Sequence, residues 1–166
     1  MDESDIALQT KTIGEESAAA VLEVYRQCED FLALGPVAKA SMEMVLEDLR
    51  HSREIGGKFC GIFVNGELAG IVDYVPNRFE GSDGTAFLSL LMIAKPWRGA
   101  GLGGQVVETV EQEMRRCGAH TVLSGVQANN PSAIRFWQRM GYRITGGPDL
   151  QPDGTVCYSL EKKLME

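Results

Sequence analysis

Residues 90–104 read Leu90-Leu91-Met92-Ile93-Ala94-Lys95-Pro96-Trp97-Arg98-Gly99-Ala100-Gly101-Leu102-Gly103-Gly104. An apolar run fit for a buried strand gives way to a short glycine-rich turn and then to the start of a helix. From there Leu102, Val106, Val107, Val110, Met114 and Cys117 are spaced to lie on one helix face, with Glu108, Glu111, Glu113, Arg115 and Arg116 mostly on the other. The two arginines fall in the last turn, where the helix dipole favours cations, and Gly118 supplies a stop. Glycines at the head of this helix leave its first N–H groups uncovered by side chains. Bare N–H groups at the positive end of the dipole suit an anion, above all a phosphate. A plain turn is the simpler reading of one or two glycines. Gly99, Gly101, Gly103 and Gly104, crowded beside Arg98, cost conformational entropy that a plain turn does not require.

Two phosphate-binding schemes fail on the residues downstream of this turn. Gly99-x-Gly101-x-x-Gly104 satisfies the literal dinucleotide fingerprint, which needs an acidic residue at the end of the next strand. That strand, Thr121-Val122-Leu123-Ser124-Gly125-Val126, carries none, and too little chain remains for a doubly wound sheet. A Walker loop fails for want of a Gly-Lys-Ser/Thr.

Arg98-x-x-Gly101-x-Gly103 resembles the Gln/Arg-x-x-Gly-x-Gly/Ala loop of the GNAT superfamily of acyl-CoA-dependent N-acyltransferases. A second match comes after one helix and one strand. Asn130-Pro131-Ser132-Ala133, then Phe136-Trp137 and Gly141-Tyr142, resembles that family's Asn-x-x-Ala, aromatic and Gly-aromatic signature. The resemblance implies a mixed α/β sheet whose two central strands splay apart, with acetyl-CoA as co-substrate. Its diphosphate would lie on Arg98, Gly99, Ala100, Gly101, Leu102, Gly103 and Gly104. The pantetheine arm would pass Leu91, Met92 and Ile93, with Ile93 backbone bonding its amides and the Leu91 N–H aimed at the thioester carbonyl. Asn130, Ser132 and Trp137 would flank it from the other strand, Asn130 also being placed to cap the helix beginning at Pro131.

The catalytic positions depart from the family. Phe87 and Gly125 stand where acids are common, and Trp137 stands where a tyrosine often reprotonates the thiolate. An indole N–H donates a hydrogen bond but does not titrate as an acid. Ordered water, Asp73, Glu80 or Asp30 are the remaining routes for deprotonating an amine. Asp73 ranks first because it lies in the apolar run Ile71-Val72-Asp73-Tyr74-Val75, where a carboxylate pKa is expected to rise, although a paired structural carboxylate fits there too. Tyr142 and Tyr158 are the replacement acid candidates, each also readable as a packed aromatic. Those gaps leave open an acyl-CoA sensor without turnover beside an N-acetyltransferase acting on a small-molecule or peptide amine.

The 166 residues are read as one domain, able to bury roughly 70% of their unfolded surface. No apolar run reaches the ~20 residues of a membrane span, and Met1-Asp2-Glu3-Ser4-Asp5 does not resemble a signal peptide. Cys28, Cys60, Cys117 and Cys157 are scattered and read as reduced core thiols of a cytoplasmic protein. With only His51 and His120 besides, no metal site is expected. The net charge of −7 argues against nucleic-acid partners and is compatible with a cationic acceptor. The resemblance leaves room for a homodimer.

In order, the pattern predicts a strand over 6–11, helices over 16–34 and 41–51, and strands over 58–64 and 67–75 joined by Asn65-Gly66. A polar loop over 76–84 comes next, then strand 85–94, the glycine-headed helix, strand 121–126 and helix 131–140. A closing pair over 142–145 and 155–163 completes a β-α-α-β-β-β-α-β-α-β-β order.

Overall fold

Asn65-Gly66 makes the hairpin turn that such a pair favours, with φ of 50° and 83° at its two residues. The strands it joins, β2 (Lys58–Val64) and β3 (Glu67–Val75), begin and end where the sequence predicts. The computed structural model describes residues 7–164 of the chain. Its first strand, β1 (Leu8–Thr12), pairs antiparallel with β2, while Ile6 lies outside the described residues. The sheet is completed by β4 (Thr85–Ile93), β5 (Thr121–Gln127), β6 (Arg143–Leu150) and β7 (Val156–Lys163). Strand order is β1-β2-β3-β4-β5-β7-β6.

The helices divide between the two faces. On one, α4 (Leu102–Arg116) lays Val106, Val107, Val110 and Met114, all fully buried, against Val72, Leu88, Val122 and Leu160 of the sheet, joined by Trp137 of α5 (Pro131–Arg139). On the other, α1 (Ala18–Arg26) and α3 (Met42–Glu54) bury Val21, Tyr25, Val45 and Leu49 against Phe59, Ile71 and Met92. Ser41 caps α3 by accepting a bond from the Met44 N–H at 3.1 Å.

The structure corrects three expectations. The single helix over 16–34 breaks at Gln27-Cys28, leaving a short α2 (Glu29–Leu32). Cys28 leaves helical geometry at φ −113°, ψ 20°, and its thiol turns to the carbonyl of Ile93 at 3.5 Å. Glu111 is 2% exposed, not on the solvent side of α4. Cys117 is an exposed C-cap, not a core thiol.

One feature of the sheet positions the site. Parallel β4 and β5 pair only from Thr85–Thr121 to Leu88–Ser124, then continue separately to Ile93 and Gln127. Ser124 Oγ donates to the Leu88 carbonyl at 2.8 Å on the last rung. Immediately beyond it, β4 takes one extra residue against β3: Tyr74 faces Leu88 and Asp73 faces Leu90, which leaves Ser89 as a bulge. A bulge bends its strand, and here the bend accompanies the parting of β4 from β5. Among the described residues, no helix is long and apolar enough to cross a membrane.

Candidate active site

The parted strands open a cleft of about 1180 Å³. β4 lines it from Phe87 to Ile93 and β5 from Ser124 to Gln127, with the glycine turn at one end and α2 at the side. The β3–β4 pairing decides which backbone groups face the gap. Ala94 N–H donates to Ala69 O at 2.8 Å, and bonded residues alternate along an antiparallel pair. Met92 therefore bonds to β3, whereas Leu91 and Ile93 turn their N–H and C=O groups toward the gap. The Ile93 carbonyl is already occupied by Arg98 Nε at 2.8 Å and the Cys28 thiol. Its N–H remains available.

Gly99 and Gly101 adopt φ of 85° and 76°, a region L side chains avoid, and a Cβ on either would meet no atom within 4 Å. Gly101 is the N-cap of α4 and offers no side-chain cap, so the N–H groups of Leu102, Gly103 and Gly104 are left bare at the helix start. A Cβ on Gly103 or Gly104 would lie 3.4 or 3.5 Å from Phe136 or Met140, so these two also keep α5 close. Ala100 sits at the tip of the turn and is exposed. The residues present fit a diphosphate: bare amides beneath open space.

The Arg98 side chain has partners within the protein. Its guanidinium grips Asp30 with Nη1 and Nη2 at 2.6 and 3.2 Å, holding the Asp30 carboxyl below its usual range. Together with the bond to Ile93, this braces the turn against α2. Asn130 Oδ1 accepts the Ala133 N–H at 3.1 Å and caps α5, leaving Nδ2 for a ligand. Ser132 and Trp137 line the cleft. Trp137, 7% exposed, packs edge-on to Phe136 and Tyr142 at centroid distances of 4.9 and 5.0 Å.

Neither candidate catalytic group reaches the cleft wall. Asp73 is 3% exposed beneath α3, where Ser52 Oγ donates to its Oδ1 at 2.7 Å. Burial pushes its carboxyl up to about 6, with a smaller contribution from the Asp48 charge. Tyr142, 2% exposed, donates to Glu111 Oε2 at 2.8 Å, and Lys162 Nζ donates to Oε1 of the same carboxylate at 2.8 Å. Burial first and then the Glu111 charge raise the Tyr142 phenol far above its ordinary value. Each has a hydrogen-bond partner inside the protein, Ser52 for Asp73 and Glu111 for Tyr142. The cleft instead carries an imidazole that the sequence reading weighed only as a metal ligand: His51, exposed on α3. It stands close enough to Asp48 and Asp73 behind it that a proton on its ring would lower both carboxyls. Its place on the polar side of a helix gave no signal of that position. Among the described residues, no group of three or more His, Cys, Asp or Glu could hold a metal ion.

A parted parallel pair that ends at a glycine-headed helix defines the class as an acyl-CoA-dependent N-acyltransferase. The chain belongs to the acetyltransferase (GNAT) family, whose model matches residues 18–142, and acetyl-CoA is its acyl donor. It is 25% identical over 161 residues to a probable spermine N(1)-acetyltransferase of Bacillus subtilis subsp. natto, covering 93% of this chain and 100% of that one. An acetyltransferase from Thermus thermophilus superposes with a TM-score of 0.81 at 22% identity, over 95% of this chain and 97% of that one. An N-acetyltransferase from Thermoplasma acidophilum in complex with coenzyme A gives 0.69 at 17% identity, over 95% and 99%.

Proposed function

We propose that the chain moves the acetyl group of acetyl-CoA onto a primary amine of a small molecule by direct attack. The observation that carries this reading is the β4–β5 fork, open on one side to the α1–α3 face and ending on the other at the bare amides of α4. In it, the N–H groups of Leu102, Gly103 and Gly104 hold the diphosphate, with Gly99, Ala100 and Gly101 shaping the turn and Arg98 bracing it. The pantetheine arm runs past Met92 and Ser132, bonded by the Ile93 N–H and Asn130 Nδ2.

Attack forms a C–N bond and places negative charge on the thioester oxygen. The Leu91 N–H, fixed by β4 and unpaired across the fork, receives that charge, a contribution of several kcal/mol. The nitrogen, cationic once the C–N bond has formed, gives its extra proton to water, and collapse breaks the C–S bond to leave the amide. The thiolate leaves without an acid because a thiol pKa near 8.5 makes it a tolerable leaving group. An alkylammonium with pKa ~10.4 must first lose a proton, and His51 is the imidazole on the cleft wall that takes it, directly or through water.

A net charge of −7 favours a cationic acceptor, and the Bacillus relative is named for spermine. Mixing protein and acetyl-CoA with polyamines, amino acids, alkylamines and lysine peptides, then following free thiol, tests the reading. Acceptor-dependent thiol release is expected, largest with small amines. Tight CoA binding with no release across the panel would leave a sensor as the answer.

A further inference from the structure

On the α4 side of the fork stands a donor with nothing to bind. Trp137 is only 7% exposed, yet it lines the cleft. Among the described residues no acceptor takes its indole N–H. Among them too, the one walled-off side-chain N or O atom without a partner is Gln127 Oε1, so Trp137 Nε1 is reached from the cleft. Buried donors in folded proteins are nearly always paired, and an unpaired one that opens on a cleft points to a ligand.

The indole is fixed by its neighbours. It meets the rings of Phe136 and Tyr142 edge-on, and the Tyr142 N–H donates to the Trp137 carbonyl at 3.0 Å. Phe136 ties the same helix to the glycine turn, since a Cβ on Gly103 would lie 3.4 Å from its ring. A donor held this way need not reorganise when charge appears in front of it.

Its place picks out the atom it serves. Leu91 of β4 and Val126 of β5 turn their side chains into the same α4-side core as Trp137. His51 and α2 line the cleft from the other face of the sheet. The indole therefore covers the gap between Leu91 and Val126 from the side away from the attacking amine. In that gap the Ile93 N–H and Asn130 Nδ2 serve the amides of the arm, and the Leu91 N–H serves the carbonyl oxygen. The sulfur also gains charge in the reaction, and no main-chain donor is left for it.

We infer that the Trp137 indole N–H donates to the thioester sulfur and holds the charge of the leaving thiolate without giving up its proton. Collapse moves the C–S electron pair onto sulfur while the N–H stays on the ring, and the thiol forms only when water supplies a proton. A hydrogen bond to an ionised acceptor is about twice as strong as one to a neutral group, so the contact favours the departing thiolate over the intact thioester. It should act on the rate of transfer more than on binding. The inference rests on the acetyl-transfer reading above and assigns the leaving-group side of that site.

The test uses Trp137→Phe, which keeps an aromatic ring in the core and removes the N–H. With acetyl-CoA and an accepted amine, the single-turnover rate should fall about tenfold to a hundredfold, while the Kd for acetyl-CoA changes less than about twofold. The thiol of bound CoA, followed by its ultraviolet thiolate absorbance, should ionise at least about one pH unit lower in the wild type than in the variant. An unchanged rate, whatever the Kd does, overturns the assignment, as do equal titrations of the bound thiol. Should the variant fail to fold, the wild type decides by itself. It has two indole N–H resonances, and Trp97→Phe assigns them. That of Trp137 should move as the bound CoA thiol ionises and stay still with desulfo-CoA; a resonance blind to the ionisation overturns the inference. These titrations need only bound CoA, so they decide the sulfur contact even where no amine is acetylated, the result that overturns the parent reading alone.

Discussion

Replacing Asp73 with asparagine separates its structural role from a catalytic one and carries a definite magnitude. The carboxyl titrates at about 6 in the fold against an ordinary 3.8. The folded state therefore holds this proton more tightly than the unfolded chain does. Stability from the group is greatest below the unfolded value and declines as pH rises from about 4 to 6. Above that it stays level. At about 1.4 kcal/mol per pH unit, the full difference comes to about 3 kcal/mol of destabilisation from the ionised group. Asp73→Asn keeps an acceptor for Ser52 and removes the charge. The variant should match the wild type at pH 4 and exceed it by up to about 3 kcal/mol at pH 8 in urea melts. Asp48, itself raised by burial, and the His51 charge act on the same group, so both belong in the comparison as Asp48→Asn and His51→Gln backgrounds. A stability difference that does not change between pH 4 and 8 would refute the burial argument. Acetyl transfer should survive in Asp73→Asn; loss of kcat by orders of magnitude would return Asp73 to the chemistry.

Other substitutions probe the remaining parts. Gly101→Asp puts a side chain and an anion at a left-handed N-cap beneath the diphosphate, so the Kd for CoA should rise at least a hundredfold by calorimetry; an unchanged Kd would remove the glycine turn from the site. His51→Gln should lower kcat by about a hundredfold at pH 7, a loss that shrinks as pH approaches the amine's pKa of ~10.4 and free amine becomes plentiful; a pH-independent loss would point to a structural role. Tyr142→Phe takes one donor from the buried Glu111 carboxylate and should cost about 1–3 kcal/mol of stability in thermal melts with kcat unchanged. A fall in kcat without a fall in Tm would restore Tyr142 as the acid.

Local signals carried the fold. Asn65-Gly66 set a hairpin, the spacing from Leu102 to Met114 set a helix face, and Arg98 to Gly104 with Asn130 to Tyr142 marked the family. Pairing across distance could not be read locally. Asp73 looks like a lone acid in an apolar run until Ser52, 21 residues away, is brought against it. Tyr142 finds Glu111 from 31 residues away, and Arg98 finds Asp30 from 68. The apolar spacing from Ala18 through Cys28 to Leu32 reads as one helix. The structure breaks it at Cys28, whose thiol meets the Ile93 carbonyl 65 residues away, a contact that local spacing does not announce. His51 stayed hidden because its neighbours in sequence say nothing about a cleft assembled from β4, β5 and α2.

The parting of β4 from β5 also has a thermodynamic consequence. A sheet split down its middle keeps an inner edge whose main-chain amides, Leu91 and Ile93 among them, have no strand to bond. They should exchange their protons with solvent far faster than the amides of Leu88 and its neighbours on the paired rungs. An extended thioester lying in the seam would close it, and exchange along both lips should slow together. By mass action such a ligand stabilises the folded chain by about 2.7 kcal/mol at a hundred times its Kd, and its melting temperature rises accordingly.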